Sequence, residues 1–297
     1  MERSERFVDV NGVRLHVVEQ GHGPLVILLH GFPEFWYSWR HQLPVLAGAG
    51  YHAVAPDMRG YNLSDKPGDY SIEALVADVV SLGRAVAGPE ARVHLAGHDW
   101  GGVVAWQVAA REPAFVKSLI IMNAPHPTLF ARNLRRSPRQ VLRSSYMLFF
   151  QAPRLAEWAL TRRRASAIAD AFRRSAARPG AFSDADLDAY RRAFLRPGAA
   201  SAAIGYYRRA FRQGARSLPK HAILVPALVL WGERDPVLPP SVNDGLDEWV
   251  KNLTIRRIPD CGHWTQQERP DVVNREMLEW LARASGLPKG RLQAGLL

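Results

Sequence analysis

The sequence is poor in cysteine, in long hydrophobic runs and in the glycine patterns of nucleotide-binding loops. Its one cysteine, Cys261, excludes an internal disulfide framework and a cysteine-rich metal cluster. No apolar run approaches the roughly 20 residues of a membrane span, and the N-terminal stretch MERSERFVDVNG lacks the apolar region of a signal peptide. Neither a dinucleotide fingerprint nor a phosphate-binding loop occurs. We therefore expect a cytoplasmic protein without a membrane span, a metal or a cofactor.

The basic residues are concentrated in one part of the chain. The 297 residues carry a formal net charge of +11, and 47% of them are hydrophobic, a value typical of a globular protein with a sizeable core. Residues 128–220 contain 20 of the 39 lysines and arginines but five of the 28 acidic residues, so the remainder has a net charge of −4. We interpret these arginines as solvated helix faces, in preference to a polyanion or membrane-surface site. No nucleic-acid module is recognisable, and we expect no nucleic-acid partner.

Short apolar runs alternate with helical patterns in the first part of the chain. Alternating residues on both sides of Asn11-Gly12 predict an antiparallel hairpin. The next runs are continuously apolar, as expected for strands that are covered on both faces. Two helical patterns, Ile72–Ala87 with Ser71 as N-cap and residues 102–111, lie between them. This order predicts an α/β fold with a mostly parallel, doubly wound sheet. The continuous runs are at residues 25–29, 52–55, 92–97 and 116–122.

An Ala- and Arg-rich helical segment interrupts the β/α alternation. Residues 128–220 contain no convincing strand and show helical patches at 141–150 and Asp184–Phe194. We predict a helical cap at 128–220, inserted into a core domain formed by residues 1–127 and 221–297. Strand patterns resume in that core domain, and an amphipathic helix follows at 270–283. We expect the end from Gly286 to fray.

The stretch Gly97-His98-Asp99-Trp100-Gly101 runs from an apolar strand into a helix. This is the nucleophile-elbow pattern with Asp in place of Ser. Small flanking residues permit a sharp turn, and the helix N-terminus favours the ionised carboxylate. Asp99 would attack as a carboxylate without needing a base for the first step. The alternative is that Asp99 only caps the helix.

Two further polar residues follow later strands. Asp235 comes after the apolar run 226–231, and His263 comes after the run 253–258. The order Asp99, Asp235, His263 matches the hydrolase order of nucleophile, acid and base at the carboxyl edge of the sheet. Asp235 would orient His263, and His263 would take a proton from water. Alternatively, Asp235 forms a turn before Pro236 and His263 is a surface residue.

The segment His30-Gly31-Phe32-Pro33 follows the apolar run 25–29. In folds with a nucleophile elbow, one N–H group of the oxyanion hole comes from the loop at this position. The backbone N–H groups of Phe32 and Trp100 would then point at one developing oxyanion. An ordinary turn containing Gly and Pro is the alternative.

With these residues in view, the chain resembles the α/β-hydrolase superfamily and, within it, the epoxide hydrolases. The stretches HGFPE (30–34), GHDWGG (97–102) and CGHWTQQERP (261–270) carry the resemblance. It implies two-step hydrolysis of a small epoxide by water to a vicinal diol, without metal or cofactor, under a cap that supplies two tyrosines.

The cap tyrosines are matched separately. Tyr146 is similar to the first tyrosine of the family, and Tyr207 to the second, with Tyr206 as the aromatic neighbour that precedes it. A register shifted by one would make Tyr206 the second tyrosine. Simple packing on cap helices is the alternative for all three. The functional interpretation is favoured because ring opening needs a phenol that can donate a proton.

The pocket between cap and sheet is expected to be apolar, and the protein to be a monomer or homodimer. Phe32, Trp36, Trp100, Phe149 and Trp264 are the candidates for the pocket wall, although any of them could belong to the core.

Haloalkane and haloacetate dehalogenases are the first alternative, since they also use an Asp nucleophile on this scaffold. Phe32 stands where haloalkane dehalogenases often have Asn, and Trp100 and Val103 stand where haloacetate dehalogenases often have arginine. Both departures favour an epoxide substrate. A non-catalytic hydrolase-like binding protein is the second alternative, and the intact set Asp99, Asp235 and His263 speaks against it.

Overall fold

The structure is a computed structural model that describes residues 2–219 and 221–285. Its centre is an eight-stranded sheet with the spatial order β1-β2-β4-β3-β5-β6-β7-β8. Strands β1 and β2 are antiparallel to each other, β2 is antiparallel to β4, and all other neighbours are parallel. The expected fraying end from Gly286 lies outside the described residues. The strands are β1 (Ser4–Val10), β2 (Val13–Gln20), β3 (Leu25–Leu29), β4 (His52–Pro56), β5 (Val93–His98), β6 (Val116–Met122), β7 (Ala227–Gly232) and β8 (Leu253–Ile258).

The predicted α/β fold class is confirmed. Every residue of β3, β5 and β7 is buried, because helices cover both faces of the parallel part of the sheet. The predicted hairpin is present, with β1 and β2 paired from Val10 and Val13 outward. None of the helices in the described part of the chain is long and apolar enough to cross a membrane. The helices are α1 (Gln42–Gly48), α2 (Ile72–Ala87), α3 (Trp100–Arg111), α4 (Pro127–Arg136), α5 (Pro138–Arg143), α6 (Tyr146–Phe149), α7 (Leu155–Ser175), α8 (Asp184–Phe194), α9 (Ala199–Gln213), α10 (Thr265–Glu268) and α11 (Pro270–Ser285).

Helices α4 to α9, which we call the inserted helices, lie in sequence between β6 and β7. Their apolar faces join the hydrophobic core of the sheet: Phe172 of α7 stacks on Trp264 at 4.1 Å between ring centroids. Helix α7 is interrupted at Arg162–Ala165, where Arg163, Arg164 and Ala165 have φ between 52° and 56°. The patch predicted at 141–150 is divided into α5 and α6.

The parallel strands deliver their polar residues to one edge of the sheet. His30 follows β3, Asp99 follows β5 and Asp235 follows β7, while His263 lies beyond β8. Ligand and catalytic groups of open α/β sheets are found at this carboxyl edge. The inserted helices reach the same edge, since Tyr206 of α9 donates to the carbonyl oxygen of Arg59, a residue that follows β4, at 2.7 Å.

Candidate active site

Asp99 lies at the turn between β5 and α3 in an unusual backbone conformation. Its φ of 48° and ψ of −120° belong to a backbone region that residues other than glycine rarely occupy. Such backbone strain is typical of functional sites. The turn is tight because its neighbours lack side chains. A Cβ at Gly97 would overlap the carbonyl of Gly101, and one at Gly101 would overlap the carbonyl oxygen of Leu29. The Asp99 side chain makes no capping hydrogen bond to α3, which leaves the simple N-cap interpretation without support.

The two carboxyl oxygens of Asp99 have different surroundings. Oδ1 accepts a hydrogen bond of 2.8 Å from the backbone N–H of Phe32, and the Trp100 N–H also favours the ionised carboxylate. Oδ2 lies 3.8 Å from Nε2 of His263. Burial raises the pKa of Asp99, while the His263 imidazole and these N–H groups oppose that rise.

Asp235 holds His263 on the side away from Asp99. Its Oδ2 lies 2.7 Å from Nδ1 of His263, and its Oδ1 accepts N–H bonds of 2.8 and 2.9 Å from Val237 and Leu238. Asn123 donates to the same Oδ2 at 2.8 Å. Burial would raise the pKa of Asp235, but the His263 imidazole and these hydrogen bonds outweigh burial and lower it. Asp235 is therefore an ionised acceptor that orients the ring.

His263 is held between two carboxylates. Burial alone would lower its pKa, but the charge of Asp235, its hydrogen bond to Asp235 and the charge of Asp99 raise the pKa to about 9. The imidazole is consequently protonated at neutral pH while Asp99 carries its charge. Any loss of the Asp99 charge would remove one of the causes that raise the His263 pKa.

Tyr146 and Tyr207 form an aromatic cluster with Phe150 beside Asp99. The ring centroids of Tyr146 and Tyr207 are 5.9 Å apart, and Phe150 lies 5.5 and 5.0 Å from them. The pKa of Tyr146 is raised mainly by burial and then by the charge of Asp99. The pKa of Tyr207 is raised mainly by burial and then by its neighbours Tyr146 and Asp99. Both phenols are neutral donors at physiological pH.

Tyr206 points in another direction. Its hydroxyl donates to the carbonyl of Arg59 at 2.7 Å, and its ring stacks on Tyr70 at 5.3 Å. Consecutive residues of a helix are about 100° apart, so α9 can direct only one of the two neighbouring tyrosines towards Tyr146. That residue is Tyr207.

The five candidates for the pocket wall are not all brought together. Phe32 and Trp100 contact Tyr207, with ring centroids 5.3 and 5.2 Å apart. The ring of Trp36 instead packs against Phe35 and Tyr37, beneath the guanidinium of Arg3.

Phe149 and Trp264 also lie elsewhere. Phe149 is 39% exposed, whereas its neighbour Phe150 is buried in the cluster with Tyr207, so the structure places Phe150 and not Phe149 beside the tyrosines. Trp264 is buried behind His263 and donates from Nε1 to Ser175 Oγ at 2.8 Å.

A buried hydrogen-bond network around Glu34, which was not predicted from the sequence, supports the loops of the site. Glu34 Oε2 accepts the Gly31 N–H at 2.8 Å and lies 2.8 Å from Nδ1 of His98, and Nε2 of His98 lies 2.8 Å from the carbonyl oxygen of His263. Gln266 and Gln267 donate to the other Glu34 oxygen. Glu34 thus steadies both the loop that carries the Phe32 N–H and the loop that carries His263. Its place in HGFPE was the available signal, because an acid within an apolar loop needs buried partners.

Comparisons with known proteins identify the family of this chain. Residues 24–270 match the family model described as the alpha/beta hydrolase fold. The chain is 38% identical over 281 residues to the AB hydrolase superfamily protein YfhM of Bacillus subtilis, covering 93% of this chain and 97% of that protein. It is 38% identical over 276 residues to epoxide hydrolase 4 of Mus musculus, covering 89% and 75% of the two chains.

Solved structures give the same result. An epoxide hydrolase of Bacillus megaterium in complex with an inhibitor superposes with a TM-score of 0.84 at 33% identity, covering 93% of this chain and 99% of that one. Epoxide hydrolase I of potato (Solanum tuberosum) has a TM-score of 0.82 at 29% identity, with 95% and 100% covered.

Proposed function

Because the chain belongs to the α/β-hydrolase superfamily and to its epoxide hydrolase family, we propose that it converts an epoxide into a vicinal diol through an ester on Asp99. The main support is that one carboxylate and two neutral phenols share one partly buried site. A carboxylate can attack carbon, and a neutral phenol can protonate the departing oxygen. In this proposal the inserted helices act as a cap that supplies the phenols Tyr146 and Tyr207.

The first step is alkylation of Asp99. Oδ2 attacks a ring carbon of the epoxide while the Phe32 N–H holds Oδ1. The carbon–oxygen bond of the ring breaks, its electron pair goes to the oxygen, and that oxygen takes a proton from Tyr146 or Tyr207. The products are a hydroxyalkyl ester of Asp99 and a tyrosinate.

The second step is hydrolysis of the ester. Esterification removes the charge of Asp99, one cause of the raised His263 pKa, so His263 releases its proton to solvent and becomes a base. His263 then takes a proton from water, and the resulting hydroxide attacks Cγ of Asp99. The Phe32 and Trp100 N–H groups stabilise the oxyanion on Oδ1. Collapse expels the diol oxygen, which takes the proton from His263, and the carboxyl proton of Asp99 returns to the tyrosinate. His263 then regains a proton from solvent, because Asp99 is charged again.

Isotope labelling tests the covalent route. In a single turnover in water enriched in oxygen-18, with enzyme in excess, the diol should contain no label, because the oxygen that it acquires is Oδ2 of Asp99. Label should enter the enzyme at Asp99 and reach the diol in later turnovers. Label in the first-turnover diol would contradict the ester intermediate, and Asp99→Asn provides the inactive control.

The same assay separates the dehalogenase alternative. Epoxide turnover should exceed halide release from chloroalkanes and from chloro- or fluoroacetate. Faster halide release, abolished by Asp99→Asn, would assign the same nucleophile to the other reaction.

A further inference from the structure

One stretch of the inserted helices exposes an unusual amount of apolar side chain. Eleven large hydrophobic side chains are exposed in the described residues, and six of them belong to this stretch of 18 residues. Leu142 is 74% exposed, Leu148 60% and Trp158 58%. Grouped exposed apolar residues mark interaction surfaces more often than isolated ones do. We call the six residues the apolar surface: Val141, Leu142, Leu148, Phe149, Leu155 and Trp158.

Some residues of this stretch are packed and others are exposed. Phe150 and Ala156 lie in a hydrophobic cluster with Tyr207, and Tyr146 packs against that cluster. The guanidinium of Arg208 holds the stretch together, since it donates to the carbonyls of Phe150 and Ala152 and to the Glu157 carboxylate. The neighbours of these packed residues in the sequence, including Phe149 and Leu155, are exposed.

The segment that carries the apolar surface is strongly basic. Residues 128–164 contain nine arginines, no lysine and one acid, Glu157. The Glu157 carboxylate is paired with Arg208 at 2.5 Å, so it does not neutralise the arginines of this segment. Arg162 lies over the ring of Trp158 at 4.8 Å. Within the described residues, Arg139 and Arg143 have no acidic partner.

We propose that the apolar surface and its arginines dock onto an anionic lipid bilayer. Leucine, phenylalanine and tryptophan can enter the interfacial region, and arginine extends its charge to lipid phosphates while its stem lies along apolar groups. A polyanion such as nucleic acid would use the arginines but leave the leucines in water. A second copy of the chain, joined through the same surface, would bring two sets of arginines together, which like-charge repulsion disfavours.

The apolar surface lies close in the sequence to a tyrosine of the candidate active site. Tyr146 packs on the buried Phe150 cluster, while Leu142 and Leu148, four and two residues away in the sequence, are exposed. A single helix is about 10 Å thick, so a docked molecule would hold this tyrosine within about one helix diameter of the bilayer surface. The proposal does not depend on which reaction the site catalyses.

Vesicle sedimentation with the full chain tests the docking. We expect partitioning onto phosphatidylcholine vesicles that contain phosphatidylglycerol, and much weaker partitioning onto pure phosphatidylcholine. The double substitution Arg139→Gln with Arg143→Gln should weaken partitioning about tenfold to thirtyfold. Its control, Arg84→Gln with Arg92→Gln, removes the same charge from exposed positions outside this surface and should have little effect.

The apolar contribution has its own matched pair. Leu148→Gln should weaken partitioning about tenfold, whereas Leu224→Gln, at a leucine that is 64% exposed elsewhere, should not. Equal effects of the members of either pair would overturn the proposal. So would oligonucleotide binding that needs the arginines while Leu148→Gln changes nothing, or self-association that Leu148→Gln abolishes.

The fluorescence of Trp158 provides an independent measurement of docking. It is the one tryptophan of the nine in the exposed class, and all nine lie in described residues. Lipids brominated on their acyl chains should quench its fluorescence on docking, and Trp158→Phe should remove that quenching while binding and turnover of a water-soluble substrate persist. Absence of quenching in the unsubstituted protein bound to such vesicles would contradict insertion of this surface.

Discussion

At the scale of single residues, the proton on His263 connects the chemistry of the site to the stability of the fold. Its pKa of about 9 lies above the value of roughly 6.5 for an unfolded histidine. A proton bound more tightly in the folded state stabilises that state fully below pH ~6.5, and the contribution disappears as pH rises through about 9.

We therefore expect the free energy of unfolding to fall between pH 6.5 and 9.5, with a contribution from His263 of up to about 3 kcal/mol. His263→Gln should be less stable than the unsubstituted protein at pH 6.5, and the difference should shrink towards pH 9.5. Urea denaturation at several pH values measures it, with the exposed His22→Gln as control. A difference that is constant with pH would contradict the raised pKa.

The paired tyrosines allow a second test at this scale. Tyr146→Phe and Tyr207→Phe remove a proton donor, so each should slow ester formation about 100-fold. Tyr206→Phe removes a hydroxyl that bonds the Arg59 carbonyl, and should cost about 1 kcal/mol of stability with little effect on ester formation. Rapid-mixing mass measurements of the alkylated protein distinguish the steps. Slower ester formation in Tyr206→Phe than in Tyr207→Phe would reverse the assignment of the two residues.

At the scale of elements, the bounds of helices and strands could be predicted best where the apolar residues define one face of the element. The strand at Leu253–Ile258 and the helices Ile72–Ala87 and Asp184–Phe194 have the expected bounds. Residues 141–150 were harder, since apolar side chains occur on all sides of that pattern. Tertiary packing buries Phe150 and leaves Phe149 exposed. Periodicity cannot distinguish two adjacent residues of the same type.

The turn before α3 is the element on which the site most depends. Gly101→Ala would place a methyl group inside the carbonyl oxygen of Leu29, where rigid backbone cannot move aside. We expect loss of activity together with destabilisation of several kcal/mol, measured by chemical denaturation. Gly83→Ala in α2 is the comparison, because its methyl would meet the Phe115 side chain and no backbone of another element, and alanine favours the helix by about 1 kcal/mol. We expect a smaller loss of stability there and no loss of activity. Equal losses in the two variants would contradict this account of the turn.

At the scale of the whole molecule, the sequence revealed groups at strand ends more readily than the contacts that unite them. Asp99, Asp235 and His263 could be proposed because each follows a predicted strand. The chain from Glu34 through His98 to the His263 carbonyl joins residues 34, 98 and 263, and a single sequence has no periodicity that pairs such distant positions. The same holds for the packing of the inserted helices on the sheet.

That packing predicts how the molecule unfolds. Phe172 of α7 is fully buried and stacks between Trp264 and Tyr190, at 4.1 and 4.2 Å, so the inserted helices and the sheet share one core. We expect Phe172→Ala to destabilise the whole protein by about 3–5 kcal/mol in a single transition, because the cavity weakens both parts together. Phe211→Ala, at a side chain 62% exposed, should change stability by less than about 0.5 kcal/mol. Calorimetry combined with near- and far-ultraviolet circular dichroism measures both variants; two separate transitions in Phe172→Ala, with the sheet melting at its original temperature, would mean that the inserted helices fold independently.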